Sequence, residues 1–526
     1  MSMKFRAAAA QFHVGNDVEE NLATCLRMIT AAGENKPELL VLPEFSNHCS
    51  WYDGAEHCFD VSVDLDGPFL AAIADAARGI SAYVVINCTV RRPGKRVTGT
   101  SIMLSPAGEI IGTADKQVLI GHENDFLERA GEAGPVLATP LGRLAMYSCM
   151  DGVINETPRC LALRGAEVLC NSLNSFALDE GSLHIPVRAA ENRVWVVAAN
   201  KVGPLIPEAL VGPVSAATNI PAHFLDGAGD SQIVAPDGTV VALAGKDEEI
   251  IFADIEPGLA RDKRRSDGTD VFAARRPGLY APLAEDPAGQ PVSIEGPEDV
   301  PVAALRAAGQ LDRALAAGAR LVCIAGGQPV APDSLAPLVA EGCLVAAAAA
   351  DDTVILVGPD GPILRQARLH ADGGADDIEV ADTAYGRVAV LDSRDVIFPE
   401  TMRLAALKGV STVLIPGKPL EDWECRTGIV ERAAENRVNV VFASAEGGER
   451  GSVVAALQKD FTIMTEWRER EFDGLLSAPE ILRQEEDGML LATVHPLAAA
   501  NKECSRNTHL LESRPWKLLE PIVAGN

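Results

Sequence analysis

Two stretches of the sequence decide the fold: LGRLAMYSCMDGVINETPRCLALRGAEVL at residues 141–169 and YGRVAVLDSRDVIFPETMRLAALKGVSTV at residues 385–413. A shift of 244 positions superimposes them without a gap. The same shift places RAAENRVWVVAAN (188–200) on RAAENRVNVVFAS (432–444). Self-similarity at one fixed offset is the mark of an internal duplication. The chain is therefore expected to contain one fold twice, in tandem.

Many of the residues that coincide under this shift are glycines or charged residues. The matched pairs include Gly142 with Gly386, Arg159 with Arg403, Glu156 with Glu400, Arg188 with Arg432 and Glu191 with Glu435. Cys149, by contrast, falls on Ser393. The repeat thus keeps the surroundings of Cys149 and substitutes the thiol itself, which argues against a purely structural role for that cysteine.

Strand-like and helix-like stretches alternate on both sides of a Pro-, Gly- and acid-rich segment, PLAEDPAGQPVSIEGPED, at 282–299. FRAAAAQF, ELLVLPEF and LGRLAMYSC are typical of strands, whereas NLATCLRMITAAGENK and ETPRCLALRGA are typical of helices. This alternation predicts a layered α/β fold. The segment predicts a linker between domains at 1–281 and 300–526.

The composition excludes several classes of function. A chain of 526 residues, 47% hydrophobic and 23% charged, has the size of two globular domains. Its net charge of -28 disfavours nucleic acids and acidic membranes as partners. No signal peptide or membrane-spanning stretch is evident, and the 11 cysteines lie mostly in apolar runs. We therefore expect reduced thiols and a cytoplasmic protein.

Three residues of the first half carry a possible chemistry. Glu44 ends the strand-like run LLVLPE, Lys116 follows a pair of strands in GTADKQVL, and Cys149 ends LAMYSC before a turn and a helix. Binding sites of α/β folds favour the carboxyl ends of strands. A cysteine nucleophile needs a base and a cation or N–H donors for the oxyanion. Taken singly, each residue also has an ordinary explanation, as a core thiol, a loop carboxylate or a solvated lysine.

Together with their flanking blocks, these residues resemble the nitrilase, or carbon–nitrogen hydrolase, superfamily. The resembling blocks follow in the family's order and are AAAAQFHVGNDVEENL, LLVLPEF, GTADKQVLI, YSCMDGVINETPR, RAAENRVWVVAAN, GDSQIVAPDG and RRPGLY. The resemblance covers nearly all of 4–281 and, more weakly, 300–520. It implies two tandem four-layer αββα sandwiches, with Glu44 as general base, Lys116 as oxyanion stabiliser and Cys149 as nucleophile.

The resemblance implies further features of the site. A second glutamate is expected, and Glu123 fits that position better than Glu128. The backbone N–H of Met150 is expected to join Lys116 at the oxyanion, and neither a metal nor an organic cofactor is needed. Trp51, Asn174 and His184, together with the Gly- and Pro-rich stretch 201–229, are candidates for lining the substrate pocket.

The second half departs from the family at the catalytic positions. The strand that matches LLVLPE reads LVCIAG, which puts Gly326 at the place of Glu44. The shift of 244 positions puts Ser393 at the place of Cys149, and an alignment with one deletion puts Arg368 near that of Lys116. We therefore expect an inactive domain that pairs with the first through helices ETPRCLALRGA and ETMRLAALKGV, as an internal pseudo-dimer. A further homo-oligomer, or a second domain that binds a regulatory ligand, stays open.

Hydrolysis of a small amide or of an N-carbamoyl or ureide compound is the leading hypothesis. Hydrolysis of a nitrile is the near alternative, but true nitrilases typically follow the cysteine with Trp-Glu, and here Met150 and Asp151 follow it. Acyl transfer, an ammonia-supplying glutaminase and a non-enzymatic scaffold are weaker alternatives. The first usually involves membrane spans or lipid substrates, the second lacks an ATP-binding fingerprint here, and the third would make the ordered blocks a coincidence.

Overall fold

A computed structural model of the chain describes residues 4–288, 292–327, 329–484 and 488–525. The strands of the first half are β1 (Phe5–Gln11), β2 (Leu39–Val41), β3 (Tyr83–Arg92), β4 (Arg96–Leu104), β5 (Ile110–Asp115), β6 (Val136–Thr139), β7 (Gly142–Ser148), β8 (Val168–Ser172), β9 (Trp195–Ala199), β10 (Gln232–Val234), β11 (Val240–Leu243) and β12 (Glu249–Ile255). Its helices are α1 (Val18–Gly33), α2 (Ala55–Val61), α3 (Pro68–Ile80), α4 (Glu123–Phe126), α5 (Met150–Val153), α6 (Glu156–Leu163), α7 (Ile185–Asn192) and α8 (Glu208–Thr218).

The second half has a similar set of elements. Its strands are β13 (Val300–Leu305), β14 (Leu321–Ile324), β15 (Leu344–Ala348), β16 (Thr353–Gly358), β17 (Gly361–Ala367), β18 (Ala381–Thr383), β19 (Gly386–Val390), β20 (Thr412–Gly417), β21 (Asn439–Ser444), β22 (Val453–Ala456), β23 (Glu480–Arg483), β24 (Met489–Val494), β25 (Glu503–Ser505) and β26 (Thr508–His509). Its helices are α9 (Leu311–Ala316), α10 (Pro332–Leu335), α11 (Ser393–Val396), α12 (Pro399–Leu407), α13 (Ile429–Asn436) and α14 (Glu520–Val523).

Each half contains two sheets of six strands. The first half has the orders β12-β1-β2-β3-β4-β5 and β11-β10-β9-β8-β7-β6, and the second half has β17-β16-β15-β14-β13-β24 and β18-β19-β20-β21-β22-β23. The central strands are parallel, as in β1-β2-β3 and β7-β8-β9, and the outer strands are antiparallel. The parallel strands therefore bring their carboxyl ends to one edge of each sheet.

The hydrophobic pattern of the sequence explains the layers. Strand β1, FRAAAAQ, is buried on both faces, as expected for a strand inside a layered α/β fold. Helix α1 begins at the cap Asp17, whose carboxylate accepts the N–H groups of Glu19 and Glu20 at 2.8 and 3.0 Å. One apolar cluster fills the space between the two sheets, and others lie between a sheet and its helices. The predicted tandem αββα sandwiches are thus confirmed.

The two halves contact each other through α6 and α7 of the first and α12 and α13 of the second. A large apolar cluster spans this contact and includes side chains of both halves. Buried ion pairs cross it reciprocally. Arg159 Nε lies 2.8 Å from Glu400, and Arg403 Nε lies 2.9 Å from Glu156. Because Arg159 and Glu156 correspond to Arg403 and Glu400 under the sequence shift, these two ion pairs are equivalent to each other in the repeat.

Other sequence-based expectations can be compared with the described residues. The predicted linker begins inside a packed 3-10 turn, Pro277–Ala284, whose Leu283 is buried. The part of it at 289–291 lies outside the described residues. All eleven cysteines are buried and unpaired, in accord with the expected thiols. Among the described residues, no helix combines the length and the apolar character that a membrane crossing requires.

Candidate active site

Three loops that follow strand ends bring Glu44, Lys116 and Cys149 to one edge of the first sandwich. Glu44 comes shortly after β2, Lys116 directly after β5 and Cys149 directly after β7. Lys116 Nζ lies 2.8 Å from Glu44 Oε1 and 2.9 Å from Glu123 Oε2. The side chains of Lys116 and Glu44 are wholly inaccessible to solvent, and Glu123 is buried as well. Glu128, the other glutamate considered, instead forms a partly exposed pair with Arg96 at 3.0 Å.

The backbone at Cys149 is strained. Its φ of 45° and ψ of -109° lie in a region that non-glycine residues rarely adopt. The turn is held because the Cys149 N–H donates to Ser172 O at 3.1 Å and to Asn171 Oδ1 at 3.2 Å. Cys149 caps α5, so that Met150 supplies the first N–H of that short helix, which has no acceptor within the helix.

Burial and neighbouring charges set the protonation states of these groups. Burial raises the pKa of the Glu44 carboxyl to about 7, although the Lys116 ammonium opposes the shift. Burial and the Glu44 carboxylate also raise the pKa of the Cys149 thiol well above its ordinary value. Burial alone would lower the pKa of Lys116, but Glu123 and Glu44 together raise it. Near neutral pH the arrangement thus holds a thiol, a permanent ammonium and a carboxyl that can take up or release a proton.

A buried aspartate ties the loop of Lys116 to the turn of Cys149. The Asp151 carboxylate accepts the N–H groups of Gln117 at 3.0 Å and Val118 at 2.8 Å, and also that of Ser148 at 3.4 Å. Burial raises the pKa of Asp151 to about 7 in spite of these hydrogen bonds and of Lys116. Asp151 thereby fixes the distance between two chain segments that are far apart in sequence.

Cys149 opens onto a cavity of about 400 Å³, a size typical of small-molecule sites. Trp51, Asn174, His184 and Glu123 are among the residues that line this cavity. The stretch 201–229 also contributes to its lining with Leu205, Ile206, Val214, Ala217, Thr218 and Leu225.

The segment 174–180 brings buried acceptors to the cavity. Asn174 Oδ1, Asp179 Oδ1 and Glu180 Oε1 have no hydrogen-bond partner among the described residues, although all three residues line the cavity. Burial raises the pKa of the Glu180 carboxyl. Asp179 and Glu180 were not among the residues expected at the site, although the repeat contains a signal for one of them, because the shift of 244 positions aligns Glu180 with Glu424.

The second half contributes a part of the cavity that was not expected from the sequence. Eight of its lining residues come from the second half, namely Ile463, Met464, Leu476, Ser477, Cys504, Ser505, Arg506 and Leu510. No sequence motif marks these residues, because their position depends on how the two halves pack.

The corresponding positions of the second half are arranged differently. Gly326 N donates to Gly417 O at 3.0 Å, as Glu44 N donates to Leu173 O at 3.0 Å, so Gly326 does occupy the place of Glu44. A Cβ atom on Gly326 would lie only 2.9 Å from Pro416 O, which leaves no room for a side chain.

Arg368 and Ser393 also occupy the expected places without forming a comparable site. Leu369 and His370, which follow Arg368, donate their N–H groups to Asp395 as Gln117 and Val118 donate to Asp151. The Arg368 side chain turns to Asp352 at 3.6 Å. Ser393 Oγ accepts the Lys418 N–H at 3.0 Å, and the space beside Ser393 amounts to about 10 Å³.

Comparison with known proteins agrees with this geometry. Residues 6–265 match the family model described as carbon-nitrogen hydrolase. The chain is 26% identical to a nitrilase of Pyrococcus abyssi, over 50% of this chain and 93% of that protein. It is 25% identical to an omega-amidase of Bos taurus, over 52% of this chain and 96% of that protein. It is 26% identical to an N-carbamoylputrescine amidase of Solanum tuberosum, over 54% of this chain and 96% of that protein.

Proposed function

Because the chain belongs, through residues 6–265, to the carbon-nitrogen hydrolase family, we propose that it hydrolyses a small amide, or an N-carbamoyl or ureide compound, through a thioester on Cys149. One observation carries this proposal. Lys116 is held between Glu44 and Glu123, at 2.8 and 2.9 Å, beside a strained cysteine that opens onto a cavity. A thiol, a base and a cation at one buried point are what covalent acyl transfer requires.

In the proposed first step, Glu44 takes the proton of the Cys149 thiol and the thiolate attacks the carbonyl carbon of the substrate. The oxyanion is stabilised by Lys116 Nζ and the Met150 N–H, each of which would contribute a few kcal/mol, typically about 3. The C–N bond then breaks, Glu44 returns its proton to the nitrogen, and ammonia or an amine leaves.

In the second step, water attacks the thioester and gives its proton to Glu44. The C–S bond breaks, the Cys149 thiolate takes up the proton from Glu44, and the acid product leaves. A carboxyl with a pKa of about 7 suits both directions of transfer at neutral pH. Glu123 would orient Lys116, and no step needs a metal or an organic cofactor.

The unpartnered acceptors favour an amide or ureide over a nitrile. Asn174, Asp179 and Glu180 each have a buried oxygen without a hydrogen-bond donor among the described residues. An amide or urea nitrogen carries N–H donors that can satisfy such atoms, whereas a nitrile carries none. The names of the omega-amidase and the N-carbamoylputrescine amidase among the relatives support the same choice, and that of the Pyrococcus nitrilase represents the alternative.

The second half, residues 300–526, is proposed to be inactive and to act as a built-in partner subunit for the catalytic domain at 1–281. The reciprocal pairs of Arg159 with Glu400 and Arg403 with Glu156 support a pseudo-dimer. The missing space at Gly326 and the closed space beside Ser393 support the loss of chemistry.

A panel of primary amides, ureides and nitriles tests the function. Ammonia release would be measured together with the intact mass, which detects an acyl adduct. Cys149→Ala is expected to lower turnover at least about 1,000-fold, because the nucleophile is lost.

Cys343→Ala and Ser393→Ala serve as controls, since Cys343 is an equally buried thiol of the second half and Ser393 is the counterpart of Cys149. Both variants should retain turnover. Full activity in Cys149→Ala, or loss of activity in Ser393→Ala, would contradict the proposal.

A further inference from the structure

Two segments of the second half close one side of the cavity of Cys149. We call their lining residues the second-half wall, which consists of Ile463, Met464, Leu476, Ser477, Cys504, Ser505, Arg506 and Leu510. The first four lie in the loop that follows β22, and the others lie in or beside the β25–β26 hairpin. The cavity is therefore incomplete without the second half.

The loop segment is anchored to the first half by backbone hydrogen bonds. Trp467 N donates to Thr218 O at 3.0 Å, and Leu178 N donates to Gly474 O at 2.8 Å. Ser477 is tied more tightly, because its N–H and its hydroxyl both donate to Asp179 Oδ2, at 2.6 and 2.8 Å. These bonds fix the loop against the segment that carries the unpartnered acceptors.

The hairpin segment is anchored next to the proposed catalytic residues. Thr508 Oγ1 accepts the Gly121 N–H at 3.2 Å and donates to Leu119 O at 3.0 Å, within the loop between Lys116 and Glu123. Leu510 and Cys504 share an apolar cluster with Met150, which follows Cys149. The second-half wall thus reaches the immediate surroundings of the thiol.

The chemistry of the second-half wall is apolar. Five of its residues have apolar or thiol side chains, and its single charged residue, Arg506, is paired with Asp125. A charged substrate group placed against the buried apolar part of this surface, at Ile463, Cys504 and Leu510, would lose hydration without gaining a partner. An apolar group has no comparable hydration to lose, and its burial against this surface would be favoured by the hydrophobic effect.

The size of the cavity also favours a long acyl group. At ~30 Å³ for each water molecule, a volume of about 400 Å³ has room for about a dozen. A two-carbon acyl group would leave most of that space filled with water, whereas a longer chain would reach the second-half wall.

We infer that the second-half wall determines which substrate is used, and that the preferred substrate is an amide with an uncharged, apolar acyl group longer than two carbons. The inference rests on the proposed function, which it makes more specific. The second half would then serve catalysis through selection of the substrate.

The first test measures kcat/KM of the full-length protein for acetamide, butyramide and hexanamide. We expect an increase of up to about fourfold for each added methylene group that becomes buried. In Leu476→Ala, the ratio of kcat/KM for hexanamide to that for acetamide should fall about tenfold, because a contact with the distal carbons is lost. Leu497→Ala is the matched control, since Leu497 is an exposed leucine of the second half that does not line the cavity.

The second test introduces a positive charge into the second-half wall. Met464 is 42% exposed, so Met464→Lys can keep its ammonium hydrated and is not expected to disturb folding. The probes are hexanamide and the six-carbon amide with a terminal carboxylate, adipamic acid. We expect the preference of the native protein for hexanamide to shrink at least about tenfold in the variant, because the new cation attracts the carboxylate.

The outcomes separate the two proposals. Equal kcat/KM for all three chain lengths, or unchanged ratios in both Leu476→Ala and Met464→Lys, would overturn the role of the second-half wall and leave the proposed function intact. A native protein that releases ammonia from none of the amides and ureides would instead contradict the proposed function, and the inference with it.

Discussion

Lys201 is a second buried ammonium near Glu44. It follows β9, and its Nζ lies 3.4 Å from Phe45 O, the carbonyl of the residue after Glu44. Burial lowers the pKa of Lys201 to about 8, although Cys49 and Glu44 favour its charged form. At neutral pH Lys201 therefore remains mostly protonated and favours the ionised form of Glu44.

The pH profile of turnover should report the state of Glu44. If Glu44 is the base, activity requires its carboxylate, and kcat/KM should fall as the pH decreases through about 7. Lys201→Met replaces this cation with a neutral side chain of similar size. The loss of the positive charge raises the pKa of Glu44 and should move the acidic limb of the pH profile upward by roughly half a pH unit to one pH unit.

The exposed Lys246, which pairs with Asp230 at 2.5 Å, offers the matched control Lys246→Met. A profile in which both variants shift equally, or in which neither shifts, would argue against Glu44 as the titrating base. The measurement needs only initial rates of ammonia release between pH 5 and pH 9, a range of roughly two units around the expected midpoint.

At the scale of elements, both halves contain the same link between the end of one strand (β5 or β17) and the turn that follows another (β7 or β19). Asp151 holds Gln117 and Val118, and Asp395 holds Leu369 and His370, all through backbone N–H groups. This link therefore belongs to the fold, and only the first half uses it to position an ammonium.

This comparison predicts different outcomes for Asp151→Ala and Asp395→Ala. Each leaves buried N–H groups without an acceptor and should lower the free energy of unfolding by about 2–4 kcal/mol. Asp151→Ala should also lower kcat about 100-fold, because Lys116 loses its position, whereas Asp395→Ala should change kcat less than about twofold. Denaturant unfolding and ammonia release measure the two effects, and an equal loss of kcat in both variants would refute the distinction.

How far the sequence predicts this site depends on the range of the interactions. Glu44, Lys116 and Cys149 follow strands that the local pattern of apolar residues reveals, so the meeting of their loops at one edge could be expected. The strained φ of 45° at Cys149 could not be predicted from the sequence, because it results from hydrogen bonds to β8. The second-half wall could not be predicted either, since it depends on the packing of segments that lie about 300 residues away from Cys149 in the sequence.

At the scale of the whole molecule, buried charges connect the halves. Arg159 and Glu400 are each about 1% exposed, and Arg275 adds a contact to Glu400 at 3.5 Å. Arg188 reaches Glu435 at 2.6 Å and also contacts Glu431, so the contact contains a network of charges. Such groups are costly to leave unpaired in a buried environment.

Removing one partner of this network should therefore be costly. Glu400→Gln leaves Arg159 buried without a carboxylate, and we expect a loss of about 3–5 kcal/mol in the free energy of unfolding. Glu248→Gln breaks an exposed pair with Arg27 and should cost less than about 1 kcal/mol. Denaturant unfolding of the full chain compares the two variants. Similar losses in the free energy of unfolding would show that the buried ion pair contributes no more to stability than the exposed one.

One contact between the halves has no equivalent in the repeat. Glu431 stands at the position of Val187, and His184 stands at that of Gly428. The Glu431 carboxylate lies 2.8 Å from His184 and contacts Arg188, and it raises the pKa of His184 to about 9 against the effect of burial. Two first halves brought together would place Val187 where this carboxylate is needed and would bury His184 and Arg188 without it. The two halves are therefore not interchangeable at this point of their contact, because His184 and Arg188 of the first half meet a carboxylate that the first half itself does not carry at the corresponding position.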